Sequence, residues 1–343
     1  MAIHRTVQLV ALNLLLLSVA HADNSAALTD RLHQAEASSS LDAGDLKPWH
    51  LKLNVQLFGN QGQQTEQGTI EEWWMSPTSV QVAYTFPSYT AVVVRNETGF
   101  SRTKDAGTPP FLLRLLLDQV VHPMPRAEDA DGSIPELRNQ TFGKVKLECI
   151  MLDQKIKTLA YPPFGLFPTY CFDPGNSSLR FSYNFGSQVI IRNAIGTFQM
   201  RKVATDINVS ENKLQQATAH VGTLESNSSM RPPQIDPTAL QTVGPTASVA
   251  SGVMAGHKLT GDNPIYPEGA KSRHVSGSVV IRALIGTDGH IHSMNLISVP
   301  DPELAISALT AVRTWTYTPY RLNGEPTEVN TQITVNFKFG PTQ

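Results

Sequence analysis

The sequence predicts an α+β protein in two parts: an N-terminal, mostly antiparallel β domain of open, barrel-like form, and a small C-terminal unit of β-hairpin, helix and strand. Three observations carry this. Period-two alternation of apolar and polar residues begins near Trp49 and recurs in short runs, broken by turn residues, to about Val203. Residues 206–251 lack sustained periodicity and are rich in Ser, Thr, Ala, Gln and Pro. A strand, turn, strand, helix, strand pattern then occupies residues 252–343. Period two marks half-buried strands, and many short ones at close spacing mark an antiparallel sheet or barrel.

The bulk numbers set the frame. The chain has 343 residues, 41% hydrophobic and 16% charged, which is globular composition with room for two domains. A formal net charge of −2 gives no pull toward nucleic acid. Two cysteines cannot build a metal site from thiolates alone.

Residues 1–22 read as an export signal. His4 and Arg5 precede an apolar run from Val7 to Ala20, and Ala20-His21-Ala22 supplies a small-residue cleavage site before Asp23. The alternative is a retained inner-membrane anchor. The run would rise only about 21 Å as a helix, against about 30 Å of hydrocarbon, so cleavage is expected. Export also favours a Cys149–Cys171 bridge, with two buried free thiols as the other reading.

The main β domain spans 23–205. It starts with a helical pattern (Ala26, Ala27, Leu28, Arg31, Leu32, Ala35) and continues with strands at Leu51–Leu57, Gly68–Trp74, Val80–Phe86, Thr90–Val94, Phe142–Leu152, Thr169–Phe172, Leu179–Tyr183, Gln188–Arg192 and Phe198–Val203. Phe111 to Val121 breaks the pattern. It is apolar on nearly every side, bounded by Pro109-Pro110 and Pro123, and so should be buried in the sheet's concavity or cover something greasy. Residues 206–251 are expected to be a flexible linker, spanning about 35–40 Å as a coil.

In the C-terminal unit, Ser278–Ile285 is a strand, Asp288-Gly289 a two-residue hairpin turn and His290–Val299 the return strand. Asp301 caps a helix with Pro302 at its first position, and Leu304, Ala308, Val312 and Trp315 form the core-facing stripe. After Asn323-Gly324, the last strand alternates strictly. Val329, Thr331, Ile333, Val335, Phe337 and Phe339 share one face, and Asn330, Gln332, Thr334, Asn336 and Lys338 the other.

These landmarks resemble a known family. Asn263-Pro264-Ile265-Tyr266-Pro267, Gly277-Ser278-Val279-Val280, Asp288-Gly289, the run Ala311 to Pro319 around Trp315, and the alternating final strand look like the TonB C-terminal domain. The resemblance implies a non-enzymatic periplasmic protein that engages outer-membrane receptors, whose short box segment adds as an extra strand. Added strands exploit the unpaired N–H and C=O groups of an open sheet edge. The implied contact residues are Asn263, Pro264, Tyr266 and Pro267, with Thr331 to Phe339 as the edge: Thr331, Gln332, Ile333, Thr334, Val335, Asn336, Phe337, Lys338 and Phe339. Asn263 stands where the family has Gln. The short leader and soft linker imply docking without energy transduction.

The N-terminal pattern resembles lipoprotein-localisation factors of the LolA/LolB type, open barrels that hold acyl chains under helices. That resemblance implies a lipid cavity lined by Trp73, Trp74, Phe111, Leu112, Leu115 and Leu116. A closed core with ordinary aromatic packing is the alternative.

No nucleophile elbow, phosphate loop, dinucleotide fingerprint or zincin motif occurs. His290 and His292 share a strand face but lack an evident third ligand, and no cofactor is expected. Glu71 and Glu72 are adjacent on a strand, so they point to opposite faces and cannot act as one acid–base pair. Three functions compete: strand addition to a receptor or other periplasmic partner, lipid or lipoprotein carriage with a docking module, and a structural or self-pairing role.

Overall fold

Alternating side chains from Trp49 onward build one antiparallel sheet of thirteen strands. The computed structural model describes residues 25–154, 164–175, 177–184, 188–226, 229, 231–244 and 246–340. The proposed export segment and Tyr161-Pro162-Pro163 lie outside the described residues. Helix α1 covers 25–37. It is followed by β1 (Trp49–Phe58), β2 (Gln64–Ser76), β3 (Ser79–Thr85), β4 (Thr90–Asn96), β5 (Gly99–Thr103), α2 (Phe111–Val121), α3 (Ala127–Asp131), β6 (Ser133–Phe142) and β7 (Val145–Gln154). Next come β8 (Thr169–Phe172), β9 (Leu179–Asn184), β10 (Gln188–Phe198), β11 (Arg201–Glu211), β12 (Leu214–Ser226) and β13 (Leu240–Thr242).

The strand order is β13-β5-β4-β3-β2-β1-β12-β11-β10-β9-β8-β7-β6. The two end strands do not pair with each other, so the sheet is open and not a closed barrel. The apolar helix α2 lies in its concavity. Leu113, Leu115, Leu116, Leu117, Val120 and Val121 are buried with Trp49, Leu51, Ile70 and Trp74 from β1 and β2. A second core joins α1 (Leu28, Leu32) to Ile150 and Phe172. A third holds Cys149 and Cys171, which are directly opposed on β7 and β8 and joined by a disulfide.

The expected linker needs correction. Residues 206–226 complete β11 and form β12, which sits between β1 and β11. Its inward residues include Ala217 and Ala219, too small to mark a period among Gln and Thr, yet both are buried. The chain beyond is also held. Gln81 donates to the Pro233 carbonyl at 3.2 Å, Leu240–Thr242 pairs with β5, and Val243 N–H donates to Phe100 O at 2.8 Å. It is therefore not the free coil its composition suggested.

The second unit contains β14 (Ala247–Ser248), α4 (Ser251–Ala255), β15 (Lys258–Thr260), α5 (Glu268–Ser272), β16 (Gly277–Ile285), β17 (Ile291–Ser298) and α6 (Pro302–Val312). It closes with β18 (Thr316–Tyr317), β19 (Arg321–Leu322), β20 (Glu325–Pro326) and β21 (Val329–Phe337). The order β14-β21-β16-β17 forms its sheet, with Leu304, Ala308, Leu309 and Val312 of α6 buried with Val279, Ile281, Val329 and Ile333. Met151, Leu166 and Phe167 of the first unit belong to the same apolar cluster, so the two units share buried surface.

Three local expectations change. The β16–β17 turn spans 286–290: Gly289 N–H donates to Gly286 O, and Gly286 N–H to His290 O. Only Gly289, at φ +78°, is left-handed, which makes this a turn followed by a bulge and not a two-residue hairpin. Helix α6 stops at Val312, so Trp315 leaves the stripe and covers Gly261 instead, where a Cβ would fall 2.2 Å from the indole. Phe339 lies past the end of β21, is 48% exposed and meets the His274 ring with centroids 4.3 Å apart.

Candidate functional site

Strict alternation along β21 produces two distinct sides. Val329, Thr331, Ile333, Val335 and Phe337 are buried, and the residues between them are exposed. The strand pairs with β16 without a register shift, from Gly277 opposite Phe337 to Ile285 opposite Val329. On its other side only Ala247 and Ser248 pair with it, opposite Val329 and Asn330, and Val249 N–H donates to Asn330 O at 2.9 Å. A residue's N–H and C=O point to the same side of a strand and alternate between neighbours. Asn330 faces outward, so Gln332, Thr334 and Asn336 do too. Among the described residues no hydrogen bond reaches their outward backbone groups. This is an open edge of three residues, with Lys338 and Phe339 beyond it.

The Asn263–Pro267 segment is placed differently from the analogy. It crosses α6 and reaches the edge strand only at its end, where the Tyr266 ring meets Phe337 edge-on, centroids 5.7 Å apart, and its hydroxyl donates to Val275 O. Ser307 of α6 donates to Ile265 O, and Trp315 Nε1 to Asp262 O at 2.8 Å. Between this segment, α5 and α6 runs a groove of about 630 Å³ that includes Asn263, Ile265 (80% exposed) and Pro267.

The six residues expected around a lipid cavity divide. Trp73 faces away from the concavity and stacks on His50 at 4.8 Å, because neighbours on a strand point to opposite faces. Trp74 faces inward, stacks parallel to Trp49 at 6.0 Å and donates Nε1–H to Asp42 Oδ1 at 2.5 Å. Leu115 and Leu116 are buried, and Phe111 and Leu112 pack against the same core. The apolar concavity is thus filled by α2 and the stacked tryptophans.

Polar residues missed in the sequence gather beside α2. Arg95 donates twice to Asp42, at 2.9 Å to each oxygen. Arg192, 2% exposed, donates to Ser182 Oγ at 3.2 Å and to Gln119 of α2. Burial pushes the Glu72 carboxyl up to about 8, with Asp42 and Asp118 adding to the rise. Inward Asp and Arg residues break no pattern in a strand or loop, so only the fold collects them. Among the described residues no group of three or more His, Cys, Asp or Glu could hold a metal, His290 and His292 included.

Beyond the shared apolar cluster, the units meet at α2 and β5. Phe111 stacks on His292 of β17, Arg114 pairs with Glu328, and Arg102 of β5 donates to Glu325 at 3.2 Å.

Among solved structures, the chain is similar to a LolA superfamily protein from Nitrosomonas europaea, at 10% identity and a TM-score of 0.38, covering 57% of this chain and 93% of that one. It is also similar to a DUF1329 family protein from Desulfovibrio piger, at 9% identity and a TM-score of 0.35, covering 64% and 98%. No curated protein matches. Over residues 262–339, which hold the groove, α6 and the open strand, the chain matches the family described as Gram-negative bacterial TonB protein C-terminal.

Proposed function

We propose that this is an exported, periplasmic protein of the TonB family that binds its partner by accepting an extended segment as an added strand on β21, and that the partner is a TonB-dependent outer-membrane receptor. The observation that carries this reading is the outward backbone of Gln332, Thr334 and Asn336, unpaired in a unit that matches the family. An incoming strand there would satisfy these groups and extend the four-stranded sheet to five. The role is binding and not catalysis.

The reading is tested by titrating the full mature chain with a receptor's TonB-box peptide, in the unmodified protein and in Thr334→Pro. The variant removes one outward N–H and leaves the ladder to β16 intact. Binding that weakens in a folded Thr334→Pro supports strand addition. Equal affinity in both, or no binding, removes it.

A second reading, a carrier of lipid or lipoprotein, draws on one observation: an open sheet wraps an almost wholly apolar helix whose Leu115 and Leu116 fill the concavity. Acyl chains would take that space only if α2 moved out. Native mass spectrometry of the exported protein, looking for co-purifying lipid, tests it.

A further inference from the structure

The large sheet ends on β6, which pairs only with β7. The two strands run in unbroken register from Ser133 opposite Gln154 to Phe142 opposite Val145, around the two-residue turn Gly143-Lys144. Such a turn closes on a hydrogen-bonded pair, so Phe142 points its backbone at β7, and alternation gives Gln140, Arg138 and Glu136 the same direction. Thr141, Asn139, Leu137 and Pro135 point away from β7. Leu152 agrees with this phase: it lies opposite Pro135, and its N–H donates away from β6, to Pro168 O at 2.9 Å. Among the described residues no hydrogen bond reaches the outward backbone of Leu137, Asn139 or Thr141.

An edge of this kind invites another strand unless charges or proline guard it. Strand β6 carries both, in an arrangement that suits its own copy. Glu136 and Arg138 lie on one face, two residues apart, and Arg138 Nη2 donates to both Glu136 oxygens at 3.1 Å. Two copies pair antiparallel in few registers, because outward residues must meet outward residues. Arg138 opposite the partner's Arg138, or Glu136 opposite the partner's Glu136, sets like charges face to face, which is unfavourable. With Asn139 on the two-fold axis, Arg138 and Glu136 meet only the partner's Gln140 and Phe142. With Leu137 on the axis, each Glu136 stands opposite the partner's Arg138. The two Leu137 side chains, 39% exposed in the single chain, then cover each other. In that register Asn139 donates to the partner's Pro135 carbonyl, so the missing proline N–H costs one bond per copy and not the pairing.

We propose that β6 is a homodimer interface: two copies of this chain join edge to edge, antiparallel, with Leu137 at the centre and a Glu136–Arg138 pair on either side of it. The two large sheets then continue as one. The proposal is independent of strand addition at β21, which lies in the other sheet.

The test is sedimentation equilibrium of the full mature chain, joined to cysteine cross-linking. A monomer–dimer equilibrium is expected, unchanged by Thr334→Pro. In Glu136→Arg two opposite-charge pairs become two like ones, so the dissociation constant should rise about tenfold or more. Adding Arg138→Glu to that variant should restore it. Residues facing each other in a hydrogen-bonded pair have Cα atoms about 5.5 Å apart, within reach of a disulfide. Leu137→Cys oxidised with diamide should therefore link into dimers, and Thr141→Cys, far from its own copy, should not. Where Glu136→Arg does not fold, the cross-linking variants, which keep both charges, decide the question. A monomer at every concentration, an equally tight dimer in a folded Glu136→Arg, a dimer lost in Thr334→Pro, or cross-linking of Thr141→Cys in place of Leu137→Cys each overturns the proposal.

Discussion

His292 of the C-terminal unit stacks on Phe111, the first residue of α2, with ring centroids 3.6 Å apart and planes 22° from parallel. The same turn of α2 carries Arg114, paired with Glu328 just before the open strand. The C-terminal unit is therefore fastened to the helix that fills the large sheet. Replacing His292 with Ala in combination with Glu328→Gln removes both fastenings. Small-angle scattering should then show a larger radius of gyration, with the circular dichroism of both units unchanged. An unchanged radius would mean that the shared cluster at Met151, Leu166 and Phe167, with the Arg102–Glu325 pair, suffices to hold the units together.

Glu72 makes stability depend on pH with a defined sign. Its folded pKa is raised from 4.5 to about 8, chiefly by burial, so the folded state holds the proton more tightly than the unfolded chain. The carboxyl costs nothing below about pH 4.5, and the cost grows as pH rises toward 8. Glu72→Gln should therefore stabilise the protein by an amount on the order of a few kcal/mol at pH 8.5, and by little at pH 4.5. Denaturant melts of both proteins at the two pH values check this.

The Cys149–Cys171 bridge joins residues 22 apart in sequence and directly opposite in the sheet. Cross-linking a loop of that length removes unfolded-state entropy worth about 3 kcal/mol. The double substitution to Ala should lower the denaturation midpoint accordingly, and a reductant should lower it in the natural protein. Equal midpoints would show that the bridge adds nothing to the sheet.

Asp301 caps α6. Its carboxylate accepts from Glu303 N–H at 2.9 Å and pairs with Arg273 at 2.6 Å. Asp301→Ala should destabilise the C-terminal unit by about 1–2 kcal/mol. Amide exchange in α6, faster than in β1 and β12 of the same molecule, is the readout.

Several of these features were legible in the sequence. Helix α2 has the bounds that Pro109-Pro110 and Pro123 mark. Asp301 and Pro302 start α6 as their capping roles require, and the alternation of β21 matches its burial residue by residue from Val329 to Phe337. What stayed hidden has physical causes. Strand β12 buries alanines among Gln and Thr, so its pattern has almost no hydrophobic amplitude. Trp73 and Trp74 read as a pair, yet the pleat sends them to opposite faces. Asp42, Glu72, Asp118 and Arg95 come from four separate elements, and only the folded sheet assembles them. Of the open edge, the strand itself was readable. That its outer side stays open past Asn330 depends on how little of 246–249 pairs with it, which no local pattern encodes.

Gln332, Thr334 and Asn336 are the groups that we propose a partner strand takes up. Residue-resolved amide exchange on the full chain, with and without a receptor's TonB-box peptide, tests it most directly. Free protein should exchange quickly at these three amides and slowly at Thr331, Ile333 and Val335, and the peptide should protect the fast set. Protection confined to the groove around Ile265 and Ser307, or three amides already slow without peptide, would contradict it.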